Sequence, residues 1–187
     1  FARRRARHAA EAAARMAAAV RLLPEGCAEL CPEALGRDAT ARRVMAALIR
    51  AVGGAAHAPT QAAVARLLAA GRGTLGGALW LPGGRWLVRE AATGGWEEGL
   101  WDGRFRGPPP PAGYEIGPLG RDSAWFRGRA RHLPAAALAA LPAQRRERDG
   151  KLALVPHLFY DDIGSGFIHR MHFAPRGGAV TECHTAV

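Results

Sequence analysis

Arginine residues interleaved with aromatic residues are the side chains of this sequence best suited to chemistry. One such segment runs from Trp101 to Arg106, and a second, Arg121 to Arg131, contains Trp125 and Phe126. Guanidinium groups make bidentate contacts with phosphate, and aromatic rings stack on unpaired bases. Both segments therefore predict contact with nucleic acid. The alternative interpretation is that core aromatic residues alternate with solvated arginines and that no partner is bound.

Strand periodicity selects the arginines that could act together. Alternate residues of a strand face opposite sides, so we expect Arg104 and Arg106 on one face and Phe105 on the other. Arg85 and Arg89 form a similar row upstream. Phosphate contacts from such rows give affinity without reading the base sequence. The candidate nucleic-acid contacts are Arg72, Arg85, Arg89, Arg104, Arg106, Arg127 and Arg129.

Metal chemistry is a second candidate. Residues 169–184 contain three histidines and Cys183, and Cys27 and Cys31 are four residues apart. Zinc sites favour two closely spaced pairs of ligands, and no Cys-x-x-Cys pair occurs. We therefore predict no metal site, and we interpret Cys27 and Cys31 as small core residues.

Three further features could carry catalysis or cofactor binding. The pair Asp161-Asp162 is compatible with acid–base or Mg²⁺ chemistry, but Gly164-Ser165-Gly166 follows it and favours a polar turn. We interpret His157 as a structural histidine. The stretch Gly71–Gly77 leads into a predicted strand rather than a helix, which favours a turn over a phosphate-binding loop. We predict no catalytic, cofactor-binding or metal-binding residue in this chain.

The charge balance favours an anionic partner. The 187 residues include 26 Lys and Arg against 16 Asp and Glu, and Lys151 is the only lysine. The net charge of +10 and the pI of about 11.2 are typical of a nucleic-acid-binding domain. The abundance of Ala, Arg, Gly and Pro is also what GC-rich codon usage produces, so a merely solvated basic surface stays open.

Cysteine usage and hydropathy indicate the compartment. The three cysteines have no disulfide-framework spacing, which predicts a reduced, cytoplasmic chain. No stretch approaches ~18 consecutive apolar residues, so we predict no membrane span. The first residue is Phe1 rather than Met, and we expect the chain to be a fragment of a longer protein.

Helices in the first half and strands in the second must position these side chains. Helical spacing predicts helices over 1–23, 39–52, 60–70 and 133–141, with Asp38 or Thr40 as the cap of the second and Thr60 as the cap of the third. Alternation predicts strands near 74–81, 85–90, 101–106 and 151–156, and Gly150 predicts a turn between residues 145–149 and 151–155 that makes a last hairpin. The predicted class is α+β, with a helical N-terminal part followed by a small, mostly antiparallel β part. We place the domain boundary so that 1–72 is a helical recognition domain and 73–187 is a β-rich domain.

Three sequence blocks, in this order, resemble the region that follows the catalytic domain of bacterial tRNA(Ile)-lysidine synthases. The blocks are Gly71–Glu90, Trp101–Arg106 and Leu152–Leu158, and the connector Gly53–Pro59 precedes them. Residues 141–152 depart from the family pattern, and residues 163–187 match no motif of the family. The resemblance therefore covers nearly the whole of this chain, but only the non-catalytic half of an enzyme of that family.

The resemblance implies the C-terminal, tRNA-positioning part of a ligase. In this family, ATP and Mg²⁺ serve to adenylate the cytidine at the first anticodon position of tRNA(Ile), and L-lysine then displaces AMP. The Ser-Gly-Gly-x-Asp-Ser loop that holds ATP in the family does not occur in this sequence, so the chain alone is not expected to catalyse. The expected partner is tRNA(Ile), with ATP and L-lysine bound by an N-terminal domain. Two alternatives stay open: a freestanding basic RNA-binding module, and a structural domain that forms a homodimer or braces a catalytic half.

Overall fold

The computed structural model describes residues 2–90, 94–162 and 171–176. The helices are α1 (Ala2–Ala19), α2 (Pro32–Leu35), α3 (Ala39–Gly53), α4 (Gln61–Ala70) and α5 (Ala135–Ala139), and two 3₁₀ segments span Gly120–Phe126 and Pro156–Leu158. The strands are β1 (Val20–Leu22), β2 (Ala28–Leu30), β3 (Gly73–Leu75), β4 (Ala78–Trp80), β5 (Trp86–Arg89), β6 (Trp96–Glu97), β7 (Leu100–Trp101), β8 (Phe105–Arg106), β9 (Tyr114–Pro118), β10 (Pro142–Arg146), β11 (Leu152–Val155), β12 (Tyr160–Asp161) and β13 (His172–Phe173). The class is α+β, as predicted.

Local capping fixes the two central helices. The Asp38 carboxylate accepts a hydrogen bond from the backbone N–H of Ala41 at 2.8 Å and starts α3. Thr60 caps α4 in the same way. Both helices end at a glycine in the left-handed region, Gly54 (φ 69°) and Gly71 (φ 69°). These helices lie within a residue or so of the predicted bounds, because the signals that start and stop them are local.

The first helix is shorter than predicted. It ends at Ala19, and Val20–Leu22 continues as β1, which pairs antiparallel with β2. Pairing with β2 stabilises these residues as a strand and overrides their tendency to continue the helix. Arg21 also forms an ion pair with Glu29 across the two strands. A helix over 1–23 is therefore wrong at its C-terminal end, since a long-range partner decides the conformation of those residues.

The first sheet has the order β1-β2-β5-β4-β3 and packs on the helices. Its core contains Leu48 and Ile49 from α3 together with Trp80 and Leu87 from the strands. The sheet thus joins strands from both sides of residue 72. Most buried residues of the first core precede residue 72, but Ala78, Trp80 and Leu87 follow it, so the predicted boundary between 72 and 73 runs through this core.

The second sheet, β12-β11-β10-β9, shares a core with α5 and the 3₁₀ segment Gly120–Phe126. Its core includes Leu138, Leu141 and Val155, and it also includes Val88 of the first sheet. Leu87 and Val88 are both fully buried, in different cores. Strand β5 is therefore covered on both faces and links the two layers.

The third sheet, β13-β8-β7-β6, replaces the single strand predicted over 101–106. A tight turn at Asp102-Gly103, with φ of 53° and 65°, separates β7 from β8. Such a pair of positive φ angles is a type I′ hairpin turn, whose right-handed twist suits the flanking strands. As a result Arg104 follows a turn and does not lie in register with Arg106 on one strand.

Candidate nucleic-acid interface

A surface groove of about 580 Å³ lies between the 3₁₀ segment Gly120–Phe126 and the strands β10–β12. We call it the Trp125 groove. The polar and aromatic residues that line it are Arg121, Asp122, Trp125, Arg145, Arg146, Lys151, Tyr160 and Asp162. Three of these residues lie in the predicted arginine and aromatic segment 121–131, three lie in the hairpin around Gly150, and Tyr160 and Asp162 lie further along the chain.

The two neighbouring aromatic residues of the 3₁₀ segment have opposite environments. Trp125 is 73% exposed, whereas Phe126 is 4% exposed. The Phe126 ring packs edge-on against Tyr160, with ring centroids 5.3 Å apart. Phe126 thus anchors the segment in the core and leaves the indole of Trp125 at the groove. An exposed indole ring can stack on an unpaired base.

Arg145 holds the 3₁₀ segment in place and is not free to bind a ligand. Its guanidinium donates to the carbonyl oxygens of Pro118 and Leu119, both at 3.0 Å, and to the Asp122 carboxylate at 2.6 Å. These bonds satisfy most of its donors, and the Arg145 side chain is only 19% exposed. The charges of Arg145 and Asp122 therefore largely cancel at the base of the groove.

The remaining cations give the groove its character. Arg121 and Lys151 are exposed, and Arg146 is half-buried with its Nε 3.5 Å from the Asp149 carboxylate. Burial, together with the nearby Asp162 carboxylate, raises the pKa of Tyr160, so this phenol keeps its proton and can donate a hydrogen bond. An exposed aromatic face beside positively charged side chains is suited to a base and its phosphate.

Arg104 is not a surface residue, which contradicts the predicted row of Arg104 and Arg106. Its side chain is fully buried, and its guanidinium donates to the Asp102 carboxylate at 2.8 Å and to the carbonyl of Ala140 at 3.1 Å. Burial lowers the pKa of Arg104 to about 10 even though Asp102 favours the charged form. Arg104 cannot reach a phosphate from this position.

Arg89 belongs to the same buried cluster. It donates to both oxygens of Asp102, at 2.9 and 2.8 Å, and to the carbonyl of Gly77 at 2.7 Å. Burial opposes ionisation of Asp102, but the hydrogen bonds from Arg89 and the charge of Arg104 hold the pKa of this carboxyl below its usual value. The cluster Arg89–Asp102–Arg104 joins β5, the turn after β7 and the end of α5.

The other predicted arginines divide into paired and exposed residues. Arg85 is exposed but forms an ion pair with Glu29, which also holds Arg21. Arg127 donates to the carbonyl of Leu133 at 3.1 Å. Arg72, Arg106 and Arg129 are exposed. None of the seven predicted arginines lines the Trp125 groove.

Sequence reasoning missed Arg146 and Lys151. The hairpin that carries them was predicted, with a turn at Gly150, and its φ of 64° agrees with that turn. Basic residues cluster on both sides of this turn, at Arg145, Arg146 and Lys151. That clustering was a usable signal for a charged site.

The predicted non-sites have mixed outcomes. Cys27 is buried, as predicted, and burial raises the pKa of its thiol to about 12. Cys31 is exposed, so the prediction that it is a core residue is wrong. Asp161 lies in β12 rather than in a turn. Among the described residues, no three His, Cys, Asp or Glu side chains are arranged to hold a metal ion. His169 and the Cys183-His184 pair lie outside those residues.

Comparison of the chain with family models, with curated proteins and with solved structures gave no match. Within the part of the chain that the structure describes, each helix is too short or too polar to cross a membrane.

Proposed function

We propose that this chain binds RNA at the Trp125 groove and positions tRNA(Ile) as the C-terminal part of a tRNA(Ile)-lysidine synthase. The observation that carries the proposal is an indole 73% exposed at the edge of a groove that Arg121, Arg146 and Lys151 also line. A large aromatic side chain left in water gains none of the free energy of burial, so a partner that covers the ring explains its exposure.

The chemistry of the groove favours an unpaired nucleotide over other anions. A phosphate or a carboxylate alone needs only the cations, whereas the indole needs a flat apolar partner. An unpaired base with its phosphate supplies both. RNA loops and ends display such bases, because they are free of a duplex stack.

The sequence resemblance supplies the finer part of the proposal. In a cytoplasmic tRNA(Ile)-lysidine synthase, ATP, Mg²⁺ and L-lysine would be bound by a catalytic domain, and this chain would hold the tRNA against it. The net charge of +10 suits long-range attraction of tRNA. The chain itself would contribute binding and orientation, and no bond-making step.

The test is a titration of tRNA(Ile) with two matched double variants. Arg121→Ala with Lys151→Ala removes two charges from the groove, and Arg72→Ala with Arg106→Ala removes two exposed charges elsewhere. We expect only the groove variant to lower the slope of log affinity against log salt by about 1.4, from roughly 0.7 per phosphate on a single strand. A larger loss in the Arg72 and Arg106 variant would place the RNA on another face and contradict the proposal.

A structural role is the second candidate. The observation that favours it is that Arg85 and the cluster of Arg89, Asp102 and Arg104 are all engaged inside the chain. A domain of this kind would dimerise or brace a catalytic half, and its RNA affinity would vanish near physiological salt. Sedimentation of the chain alone, together with the tRNA titration, separates the two roles. The freestanding RNA-binding module differs from the main proposal only in lacking preference for tRNA(Ile) over other tRNAs.

A further inference from the structure

Arg146 lines two grooves of the protein surface. It contributes to the Trp125 groove, and it also lines a second groove of about 530 Å³ together with Gly113, Tyr114, Glu147 and Arg148. We call this second groove the Tyr114 groove. Since one residue belongs to both linings, the two grooves adjoin at Arg146. Both volumes lie within the range of roughly 300–1,000 Å³ of clefts that hold small ligands.

Strand pairing fixes Tyr114 beside Arg146. Tyr114 begins β9, Arg146 ends β10, and the two residues are antiparallel partners. Partners of this kind have Cβ atoms about 4.5–5.5 Å apart and side chains on the same face of the sheet. The loop before β9 is held on the same hairpin, since the Gly113 carbonyl accepts a hydrogen bond from the backbone N–H of Glu147 at 3.0 Å. The half-buried Tyr114 is therefore within reach of a ligand that the Arg146 guanidinium binds.

The guanidinium of Arg146 keeps unused hydrogen-bonding capacity, unlike that of its neighbour Arg145. The Nε of Arg146 is buried and has no hydrogen-bond partner among the described residues, although the Asp149 carboxylate lies 3.5 Å away. Burial raises the pKa of Tyr160, and the charge of Arg146 opposes that rise, so the guanidinium lies close to the Trp125 groove as well. A buried donor without a partner costs free energy. A phosphate between the two grooves would supply acceptors that this guanidinium lacks.

We propose that the Trp125 and Tyr114 grooves form one continuous site for single-stranded RNA, in which one base contacts the indole of Trp125, another contacts the ring of Tyr114, and Arg146 binds the phosphate backbone between them. The proposal rests on the proposed RNA-binding function and deepens it, since it makes the ligand an unpaired strand of at least two nucleotides. Arg148 adds a second cation to the Tyr114 groove, where Glu147 is the carboxylate. A duplex does not fit this arrangement, because its bases are stacked on one another.

Photocrosslinking of the unaltered protein locates the RNA strand directly. The probe is an octamer of uridines that carries 5-iodouridine at one internal position, and mass spectrometry identifies the crosslinked peptides. Contacts of this kind have little sequence preference, so the modified base occupies either groove in different binding registers. We therefore expect crosslinks in both the peptide with Trp125 and the peptide with Tyr114. Crosslinks at Trp125 and none at Tyr114 would overturn the continuous site.

Affinities of matched variants for the same octamer, labelled with a fluorophore, give the second readout. Tyr114→Leu removes the ring, and we expect the affinity to fall about tenfold because one stacked base is lost. Tyr114→Phe keeps an aromatic ring and is expected to recover most of that loss. Phe159→Leu is the matched control and should bind like the original protein, because Phe159 is 72% exposed and is outside the lining of both grooves. Arg146→Gln should lower the slope of log affinity against log salt by about 0.7.

The outcomes separate this inference from the proposed function. If Tyr114→Leu binds the octamer normally while Trp125→Ala binds it weakly, the continuous site is wrong and RNA binding at the Trp125 groove stands. If neither substitution changes RNA affinity, the RNA-binding function itself fails, and the continuous site with it. If Tyr114→Leu lowers the Tm, its affinity no longer isolates the ring, and the crosslinks of the unaltered protein decide: a crosslink at Tyr114 supports the continuous site, and its absence overturns it.

Discussion

Two regions of this molecule use the same residue types for opposite purposes. In the buried cluster Arg89–Asp102–Arg104, guanidinium groups lie beside Trp101 and Phe105, with the Arg104 guanidinium 4.8 Å from the Phe105 ring centroid. In the Trp125 groove, Arg121 and Lys151 are exposed beside an exposed indole.

The difference arises from one carboxylate and one turn. Asp102 lies on the Asp-Gly turn that points it inward, where it is bonded by both arginines. The groove has two carboxylates: Arg145 already neutralises Asp122, and Asp162 is exposed to solvent. A segment of arginines and aromatic residues therefore forms a cross-link in the core where a buried carboxylate bonds its arginines. It can form a ligand surface where the buried carboxylate, here Asp122, is already paired with another arginine.

Among the substitutions that test this difference, Asp102→Asn is expected to have the largest effect on stability. The substitution leaves Arg104 buried without a negative partner, so the free energy of unfolding should fall by about 3–5 kcal/mol. Urea unfolding followed by circular dichroism measures it. The matched control is Asp162→Asn, which alters an exposed carboxylate and is expected to change stability by less than about 0.5 kcal/mol. Equal effects of the two substitutions would show that the cluster does not hold the fold together.

Lowering the pH should decrease the free energy of unfolding through the buried region. His157 packs edge-on against Phe105 at 4.9 Å, and burial lowers its pKa to about 4. The unfolded chain binds a proton at its ordinary pKa near 6.5, so the stability that the neutral ring contributes is complete above about pH 6.5 and is lost as the pH falls toward 4.

The slope of that loss is at most about 1.4 kcal/mol per pH unit for one group. Unfolding free energies of the original chain and of His157→Gln between pH 7 and 4 measure it, and the variant should have the flatter profile. His57→Gln, at an exposed position, is the control and should keep the original slope. A slope that survives in His157→Gln would assign the acid sensitivity to another group.

The smallest effect is expected for substitution of Arg85, whose side chain is exposed like those of the groove but paired like those of the buried cluster. Its ion pair with Glu29 is exposed, and Glu29 keeps Arg21 as a partner when Arg85 is lost. Arg85→Ala should therefore cost less than about 1 kcal/mol and leave RNA affinity nearly unchanged. Thermal unfolding and a tRNA titration check both expectations. A tenfold loss of tRNA affinity would show that Arg85 belongs to the RNA-binding surface.

The sequence predicted the parts of the fold that local signals decide. Thr60 identified the start of α4, Asp38 was one of two candidate caps for α3, and the turn at Gly150 identified the last hairpin. Asp102-Gly103 is an equally local signal for a hairpin, and the strand predicted over 101–106 overlooked it. The end of α1 was beyond local reasoning, because β1 exists only when it pairs with β2.

The candidate site was predictable only in part. The segment with Trp125 and Arg121 was identified by composition, but exposure separated Trp125 from Phe126, and exposure depends on contact with Tyr160, 34 positions along the chain from Phe126. The burial of Arg104 likewise depends on the carbonyl of Ala140, which comes from a distant helix. Long-range packing decides which arginines are exposed to solvent, and the alternation of residues along a strand does not predict that packing.

The most direct test of the central claim is a titration of tRNA(Ile) with Trp125→Ala beside a measurement of its Tm. Since Trp125 is exposed, we expect an unchanged Tm and an affinity lower by about tenfold, within the range of 1–3 kcal/mol for one stacked base. An unchanged affinity would contradict RNA binding at the groove. A lowered Tm with unchanged affinity would make Trp125 a structural residue.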